Sequence, residues 1–219
     1  MNPWPIRMSW LEQLRVTNWG ELSLSALGAY LLGCFTTGYY LVRTIKDQDI
    51  RTIGSGSVGA RNVGRVLGRT GFFVTTLGDA LKGALAVWAV RHFIADDHVA
   101  LVALLAVVAG HVWPVQLRFG GGKGVATSLG ALWVYDWHLV LVYVAVFGCG
   151  FAAARKTVLP GLFGFICLPA AGFWLHRDPI ELAALTLLAG MIVFAHRANL
   201  VEEIPILAAR RGTHKSERH

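Results

Sequence analysis

The chain has 219 residues, of which 55% are hydrophobic and only 15% are charged, yet its formal net charge is +7. Soluble globular domains carry about 25% charged residues, so this composition excludes an ordinary soluble domain. The mean hydropathy of +0.53 instead indicates a protein of the lipid bilayer.

The apolar residues are grouped in runs separated by short charged clusters. Six runs approach the roughly 17 to 25 residues that cross a hydrocarbon core, and a seventh, at 125–137, is shorter. Lipid cannot satisfy backbone polar groups, so such runs must be helices. The sequence therefore predicts an all-α integral membrane protein with about seven transmembrane helices, from the runs 22–42, 72–94, 99–115, 125–137, 139–154, 158–175 and 180–195.

Segments outside these runs define the predicted domain organisation. Residues 1–21 are a leader that forms either a short interfacial helix or a flexible segment, and residues 22–200 form the seven-helix membrane domain. Residues 201–219 are predicted to be a basic cytoplasmic tail.

Lysine and arginine predict the orientation, because positively charged short loops stay on the cytoplasmic side. With seven crossings, one side carries only Arg7, Arg15, Arg91 and Arg177. The N-terminus is therefore expected outside and the C-terminus in the cytoplasm. The cytoplasmic side holds fifteen cations: Arg43, Lys46, Arg51, Arg61, Arg65, Arg69, Arg118, Lys123, Arg155, Lys156, Arg197, Arg210, Arg211, Lys215 and Arg218.

The first polar cluster, at 51–68, is rich in glycine. Its glycines match the dinucleotide pattern G-x-G-x-x-G, but that fold needs a strand before the loop, and here an apolar run precedes it. Glycine backbone with nearby hydroxyls and cations also suits a phosphate. The cluster predicts either a phosphate-binding loop or a solvated basic loop, with the candidate residues Gly54, Ser55, Gly56, Ser57, Arg61 and Arg65.

The second cluster, FGGGKGVAT at 119–127, places three glycines before Lys123. It is not a Walker A loop, because Leu117 and Gly124 stand where that motif requires glycine and serine or threonine. A lysine beside backbone amides at a helix start suits a phosphate, whereas a plain interhelical turn is the alternative. His111, just upstream, is either structural or part of the same site.

Two further clusters place titratable groups at or within the apolar runs. Asp79 and Lys82 share one face of a helix, and charges at that depth are costly unless they are paired or functional. His196 and Asn199 follow the last run, where an imidazole could exchange a proton near neutral pH. Three of the four clusters are predicted to open on the cytoplasmic side.

Together these motifs resemble the bacterial acyl-phosphate:glycerol-3-phosphate acyltransferases, the PlsY family. The resemblance implies a seven-helix enzyme of the bacterial inner membrane whose active site faces the cytoplasm. It covers residues 24 to 202, through AYLLG at 29–33, DIRTIGSGSVGARNVGRVLG at 49–68, DALKG at 79–83, GHVWPVQLRFGGGKGVATSLG at 110–130 and HRANL at 196–200.

The resemblance further implies transfer of a fatty acyl group from acyl phosphate to the 1-hydroxyl of glycerol 3-phosphate. The products would be lysophosphatidate and phosphate. No metal or organic cofactor is expected. The expected partners are the two substrates and membrane lipids, without nucleic acid, and the protein is expected to be a monomer.

Site residues carry over by position. Ser55 matches the family's essential serine, which would orient the hydroxyl or act as a covalent nucleophile, and His196 and Lys123 complete the expected catalytic set. A substrate phosphate could instead take the proton. Arg65, Lys123, His196 and Asn199 would hold the acceptor, whereas backbone near Ser55 and at Gly121 and Gly122 would receive the donor phosphate. The other expected substrate-binding residues are Gly54, Gly56, Ser57, Arg61, Asn62, Lys82 and His111.

The chain departs from the family pattern on the donor side. Ser57 replaces an asparagine, Arg61 replaces a threonine, and the segment KTVLPGL at 156–162 lacks two serines. Either Arg61 supplies a cation in place of the lost hydroxyls, or the donor or acceptor has changed. A small organophosphate transporter is the alternative of another class. Transport needs access from both faces, so polar clusters concentrated on one side favour the enzyme.

Overall fold

The computed structural model describes residues 18–201, and every regular element in this part of the chain is helical. The all-α prediction is therefore confirmed there. The predicted leader, apart from its last few residues, and the basic tail after residue 201 lie outside the described residues. The helices are α1 (Trp19–Cys34), α2 (Thr37–Lys46), α3 (Ala60–Phe93), α4 (Asp97–Val112), α5 (Val125–Tyr135), α6 (Trp137–Ala154), α7 (Val158–Trp174) and α8 (Pro179–Ala195).

Several of these helices suit a bilayer. By length and composition, three helices between residues 18 and 201 could cross a membrane, namely α3, α6 and a segment Asp97–Leu117 that extends α4 through a 3-10 turn. Helices α5, α7 and α8 are apolar but shorter. The number of crossings and the orientation of the termini stay predictions.

The first predicted span is interrupted, so the expectation of one continuous helix over 22–42 is wrong. Helix α1 ends at Cys34, Phe35 and Thr36 are extended, and α2 begins at Thr37. A side chain of helix α3 supplies the hydrogen-bond donors that the helix lacks at this break. Lys82 Nζ donates to Gly33 O at 2.9 Å and to Phe35 O at 2.7 Å, so the break leaves these carbonyls bonded, as an apolar environment requires.

Helix α3 begins earlier than the sequence predicted. The glycine-rich segment was expected to be a loop through Gly68, but it is helical from Ala60. Gly68 has non-helical angles (φ 71°, ψ −163°) and bends the helix. Arg61 and Arg65 are therefore helical residues, one turn apart on the same face.

Two pairs of helices pack with their backbones in close contact. In the α3 and α5 pair, Gly83 lies against the carbonyl of Thr127, and Gly130 lies against the carbonyl of Ala80. The same reciprocal arrangement joins Gly33 of α1 to Gly110 of α4, each against a carbonyl of the other helix. Small residues at such interfaces allow close approach where lipid provides no hydrophobic driving force.

We expect Gly130→Val to destabilise the protein, because its side chain would collide with the carbonyl of Ala80. Overpacking of this kind costs about 1–3 kcal/mol or more. Gly190→Val is the matched control, since Gly190 is also helical but has no atom within 4 Å of its added Cβ. Thermal unfolding in detergent should give a lower Tm for Gly130→Val; equal Tm values would contradict this packing argument.

Helix α4 lies at the centre of the bundle and packs against α1, α3, α5 and α8. Its residues Ala100, Leu104, Val107 and Val108 are almost completely buried. The end of α4 and the starts of α3 and α5 line one cavity. Helix α4 thus lies beside three segments that the sequence analysis predicted to be functional: its own end and the starts of α3 and α5.

Candidate active site

A cavity of about 460 Å³ is lined by all three predicted catalytic residues, Ser55, Lys123 and His196. It joins the starts of α3, α5 and α7, the ends of α4 and α8, and the middle of α6. Its apolar wall includes Leu129, Tyr143, Phe147, Val158 and Leu162. Such a cavity fits an amphiphile with an anionic end, because its polar lining contains Ser55, Ser57, Arg61, Asn62, Asp79, His111, Lys123 and His196.

Asn62 organises the loop that carries Ser55. Its side chain is 1% exposed, and its Oδ1 accepts the N–H of Ser55 at 3.0 Å. Its Nδ2 donates to Ile53 O at 2.8 Å, to Ser57 O at 3.0 Å and to Ile50 O at 3.3 Å. The structure therefore gives the Asn62 amide a positioning role. Asn62 also lines the cavity, and its predicted contact with substrate stays a prediction.

Arg51 connects this loop to the segment that leads to α5. Its Nη1 donates to Leu117 O at 2.7 Å, while its Nη2 forms an ion pair with Asp49 at 2.6 Å. The Arg51 hydrogen bond holds the pKa of the Asp49 carboxyl below its ordinary value. Two glycine-rich segments that are distant in sequence are thus held beside one another.

Two helix N-termini open into the cavity. Helix α3 begins after Gly59 and α5 begins after Gly124, and neither N-cap supplies a side-chain hydrogen bond. The first N–H groups of a helix have no intrahelical acceptor and carry partial positive charge that favours an anion. Arg61 and Lys123 line the same cavity, so helix ends and cations together form a candidate phosphate site.

Gly121 and Gly122 do not supply the phosphate-binding amides that the resemblance implied. The N–H of Gly121 donates to Val112 O at 3.2 Å and that of Gly122 donates to His111 O at 3.0 Å. These bonds attach the glycine segment to the end of α4. The first turns of α3 and α5 replace these two glycines as the backbone available to an anion.

His196 follows the last residue of α8 and presents one ring nitrogen for chemistry. Its Nδ1 lies 2.8 Å from Ile192 O, which can only accept, so Nδ1 carries the proton and Nε2 carries the lone pair. Burial lowers the pKa of His196 below its ordinary value, and the charges of Lys123 and Arg61 lower it further. The side chain is therefore a neutral base near pH 7.

Lys123 and Asn199 act as a pair. The Lys123 ammonium donates to Asn199 Oδ1, and Lys123 lines the cavity whereas Asn199 does not. Asn199 thus holds the lysine, and the lysine faces the cavity.

Lys82 lies outside the cavity lining, although the sequence placed it among the substrate-binding residues. It is 5% exposed, and its Nζ lies 3.2 Å from Asp79 Oδ1 and 2.9 Å from His111 Nδ1. Asp79 and His111 do line the cavity. The predicted ion pair between Asp79 and Lys82 is formed. Lys82 contacts Asp79 and His111, and these two residues, unlike Lys82, can contact a ligand in the cavity.

Comparison with known proteins identifies the family. The family model for glycerol-3-phosphate acyltransferase matches residues 23–204. The chain belongs to the glycerol-3-phosphate acyltransferase family. It is 44% identical over 185 residues to glycerol-3-phosphate acyltransferase 1 of Desulfitobacterium hafniense, covering 84% of this chain and 92% of that one. The corresponding protein of Gloeobacter violaceus is 40% identical over 189 residues, covering 84% and 91%.

Solved structures agree with this assignment. The chain is similar to PlsY, an integral membrane glycerol 3-phosphate acyltransferase, in its glycerol 3-phosphate form, with 32% identity and a TM-score of 0.77 over 85% of this chain and 93% of that one. The lysophosphatidic acid form gives 30% identity and a TM-score of 0.76 with the same coverage. The resemblance inferred from the motifs is confirmed, and it favours an acyltransferase over a transporter.

Arg65 of this acyltransferase lines a groove that adjoins the cavity. The groove has a volume of about 400 Å³ and is lined by Arg61, Arg65, Arg69, Phe72 and Phe73, with Gly64 and Gly68. Arg61 and Phe72 line both the groove and the cavity. Arg65 therefore lines the groove, Lys123 and His196 line the cavity, and Arg61 lies where the two adjoin.

The two predicted glycines of the serine loop shape the backbone. Gly54 and Gly56 have φ angles of +60° and +68°, a conformation that side chains other than glycine rarely adopt. Neither glycine lines the cavity. Their contribution is the turn that presents Ser55.

Sequence reasoning missed the apolar part of the site in this acyltransferase. Tyr143 and Phe147 line the cavity with their rings stacked at 6.1 Å, and Gly161 and Leu162 face them from α7. The i, i+4 spacing of Tyr143 and Phe147 was a visible signal. In a uniformly apolar helix, however, that spacing does not distinguish a ligand-facing stripe from a helix contact.

Proposed function

We propose that this acyltransferase moves a fatty acyl group from acyl phosphate to the 1-hydroxyl of glycerol 3-phosphate, acting as a monomer at the cytoplasmic face of a bacterial inner membrane. The observation that carries the proposal is the joint lining of one amphipathic cavity by Ser55, Lys123, His196 and two uncapped helix starts. An acyl chain matches the apolar wall, and phosphate groups match the cationic end.

Acyl phosphate suits a site of this composition. It is a mixed anhydride already activated for acyl transfer, so the protein needs to orient a hydroxyl, offset phosphate charge and accept one proton. Arg61, Lys123 and the first N–H groups of α3 and α5 provide the positive charge. Each of these steps uses groups of the chain itself.

The reaction follows from these positions. The 1-hydroxyl oxygen of glycerol 3-phosphate attacks the acyl carbonyl carbon, and its proton passes to Nε2 of His196. The tetrahedral intermediate then collapses, the bond from carbon to the phosphate oxygen breaks, and phosphate leaves with the electron pair. The leaving phosphate takes the proton from Nε2, which returns His196 to its neutral form. Lysophosphatidate and phosphate are the products.

Ser55 is proposed to orient the attacking hydroxyl. A serine nucleophile needs a base within hydrogen-bond reach, and the described residues contain no hydrogen bond between Ser55 Oγ and His196. The loop hydrogen bond from Ser55 N–H to Asn62 Oδ1 fixes the serine backbone while leaving the hydroxyl at the cavity. This geometry supports direct transfer over a covalent acyl-serine.

The test is a transfer assay on the purified protein in lipid. Palmitoyl phosphate and glycerol 3-phosphate should yield lysophosphatidate and phosphate in equal amounts, and Ser55→Ala should lose most of this activity. Ser23→Ala, an exposed serine of α1, is the matched control and should retain it. Release of phosphate without lysophosphatidate would overturn the proposed acceptor, and transfer from palmitoyl-CoA alone would overturn the proposed donor.

Arg61 is expected to bind the donor phosphate. Arg61→Thr should raise the KM for palmitoyl phosphate about 10- to 100-fold, the equivalent of one charge-assisted hydrogen bond of about 1.5–3 kcal/mol. Arg69→Thr is the control, because Arg69 lines only the groove. Initial rates at varied donor concentration measure both. An unchanged donor KM in Arg61→Thr would remove Arg61 from donor binding.

A further inference from the structure

A second histidine lines the cavity and belongs to a buried polar cluster of α3 and α4. His111 and Asp79 are each 3% exposed and Lys82 is 5% exposed. Lys82 Nζ contacts both of the others and also the two carbonyls at the break between α1 and α2. The cluster therefore connects the break between α1 and α2 to the cavity wall.

The contacts of Lys82 determine which His111 nitrogen carries the proton. The ammonium next to the Asp79 carboxylate can only donate, and at 2.9 Å its acceptor on the ring is Nδ1. The alternative donation from Nδ1 to Asp79 Oδ1 would span 3.6 Å, which is too long for a hydrogen bond. His111 Nδ1 is therefore the acceptor, and the proton of the neutral ring is on Nε2.

The protonated nitrogen belongs to a residue of the cavity wall. Gly122 packs against Nε2 so closely that an added Cβ would collide with it, and Gly122 precedes Lys123. His111 lines the cavity, and the described residues supply no hydrogen-bond acceptor for its Nε2. An Nε2–H that has no protein acceptor among the described residues and is not completely buried is available to a ligand.

We propose that Nε2–H of His111 binds the carbonyl oxygen of the acyl donor and stabilises the negative charge that forms there, with Lys82 as the positioning residue that fixes the ring tautomer. This inference rests on the proposed acyl transfer. As the hydroxyl adds to the carbonyl carbon, the carbonyl electron pair moves to oxygen, where the N–H meets it. The pair returns when phosphate leaves.

The carbonyl oxygen is the better occupant than a phosphate oxygen. Asp79 also lines the cavity, and its Oδ1 is 3.6 Å from the His111 ring. A phosphate held there would keep its negative charge beside a carboxylate, whereas a carbonyl oxygen gains negative charge only as the tetrahedral intermediate forms. The two cavity histidines are then complementary, since Nε2 accepts in His196 and donates in His111.

The tautomer is testable without turnover. In protein labelled with ¹⁵N-histidine in detergent micelles, the His111 signals are those missing from His111→Gln. We expect an unprotonated Nδ1 and a protonated Nε2 for His111, and the reverse for His196. Lys82→Met should abolish the His111 preference. A protonated Nδ1 in His111 of the unaltered chain would overturn the inference, whatever the activity.

Kinetics test the role of the N–H. His111→Ala should lower kcat about 10²- to 10³-fold, the effect of removing one oxyanion donor, with little change in the KM for palmitoyl phosphate. His111→Gln, whose amide N–H reaches the position of Nε2, should retain more activity than His111→Asn. His92→Ala, at the exposed end of α3, is the control.

The outcomes separate the two proposals. A raised donor KM with unchanged kcat in His111→Ala would assign the residue to ground-state phosphate binding and overturn the carbonyl assignment. If His111→Ala does not fold, the comparison of Gln with Asn decides instead, and equal activities would overturn the inference. If the unaltered protein transfers nothing from palmitoyl phosphate while the His111 tautomer is as expected, the proposed function fails and the tautomer assignment stands.

Discussion

Replacing His196 with alanine is expected to lower kcat by about 10²- to 10⁴-fold, the usual contribution of a general base. The expectation depends on one hydrogen bond, because Nδ1–H donates to Ile192 O at 2.8 Å and thereby leaves the lone pair on Nε2. His196→Gln should be similarly inactive, since its amide cannot accept a proton. Rates measured with palmitoyl phosphate and saturating glycerol 3-phosphate test both variants.

The pH profile provides a second test of His196. Burial and the charges of Lys123 and Arg61 lower its pKa, and only the neutral ring can accept a proton. The acidic limb of kcat/KM should therefore lie below the ordinary histidine pKa of about 6.5, with activity kept as pH falls through 6.5 and lost at lower pH. His92→Ala should leave the profile unchanged. An acidic limb that persists in His196→Ala would show that another group takes the proton.

Lys123→Met is expected to weaken glycerol 3-phosphate binding strongly. Lys123 lines the cavity beside the start of α5 and is held by Asn199, so its loss removes a charge-assisted bond worth about 1.5–3 kcal/mol. The acceptor KM should rise about 10- to 100-fold. Asn199→Ala should give a smaller rise, because the lysine remains but is less well positioned.

The same substitution should also alter the acidic limb. The charge of Lys123 lowers the pKa of His196, so Lys123→Met should raise that pKa and move the limb to higher pH. Lys46→Met, an exposed lysine in the last turn of α2, should change neither the acceptor KM nor the limb. A raised acceptor KM with an unmoved limb would mean that Lys123 and His196 are not electrostatically coupled.

Composition and motif order predicted much of the fold and of the site. Apolar runs predicted the helices α4, α6, α7 and α8 closely, because uniformly apolar segments in lipid have only the helix available. The polar clusters predicted Ser55, Lys123 and His196, and the structure places all three on one cavity. Hydropathy along a helix and the chemistry of a short motif depend on residues close together in the chain, so both can be predicted from the sequence.

Features that the sequence did not predict depend on long-range contacts. Nothing local marks the break at Phe35 and Thr36, since its carbonyls are satisfied by Lys82, 47 residues away from Phe35. The sequence does not show that the backbone N–H groups of Gly121 and Gly122 are hydrogen-bonded. Their acceptors are carbonyls at the end of α4, and only the fold brings these groups together. Arg65 matched a motif position; it is helical and lines the groove beside the cavity, and its contact with the acceptor stays a prediction.

The two glycine N-caps of α3 and α5 have a consequence for the cycle of the enzyme. Neither N-cap makes a side-chain hydrogen bond, so we expect a bound phosphate to supply the acceptor that the two helix starts lack. Inorganic phosphate released by the reaction carries the same charge pattern as the substrate groups. Product inhibition by phosphate follows, together with a thermal stability that rises with phosphate concentration, as expected for any ligand that binds only the folded state.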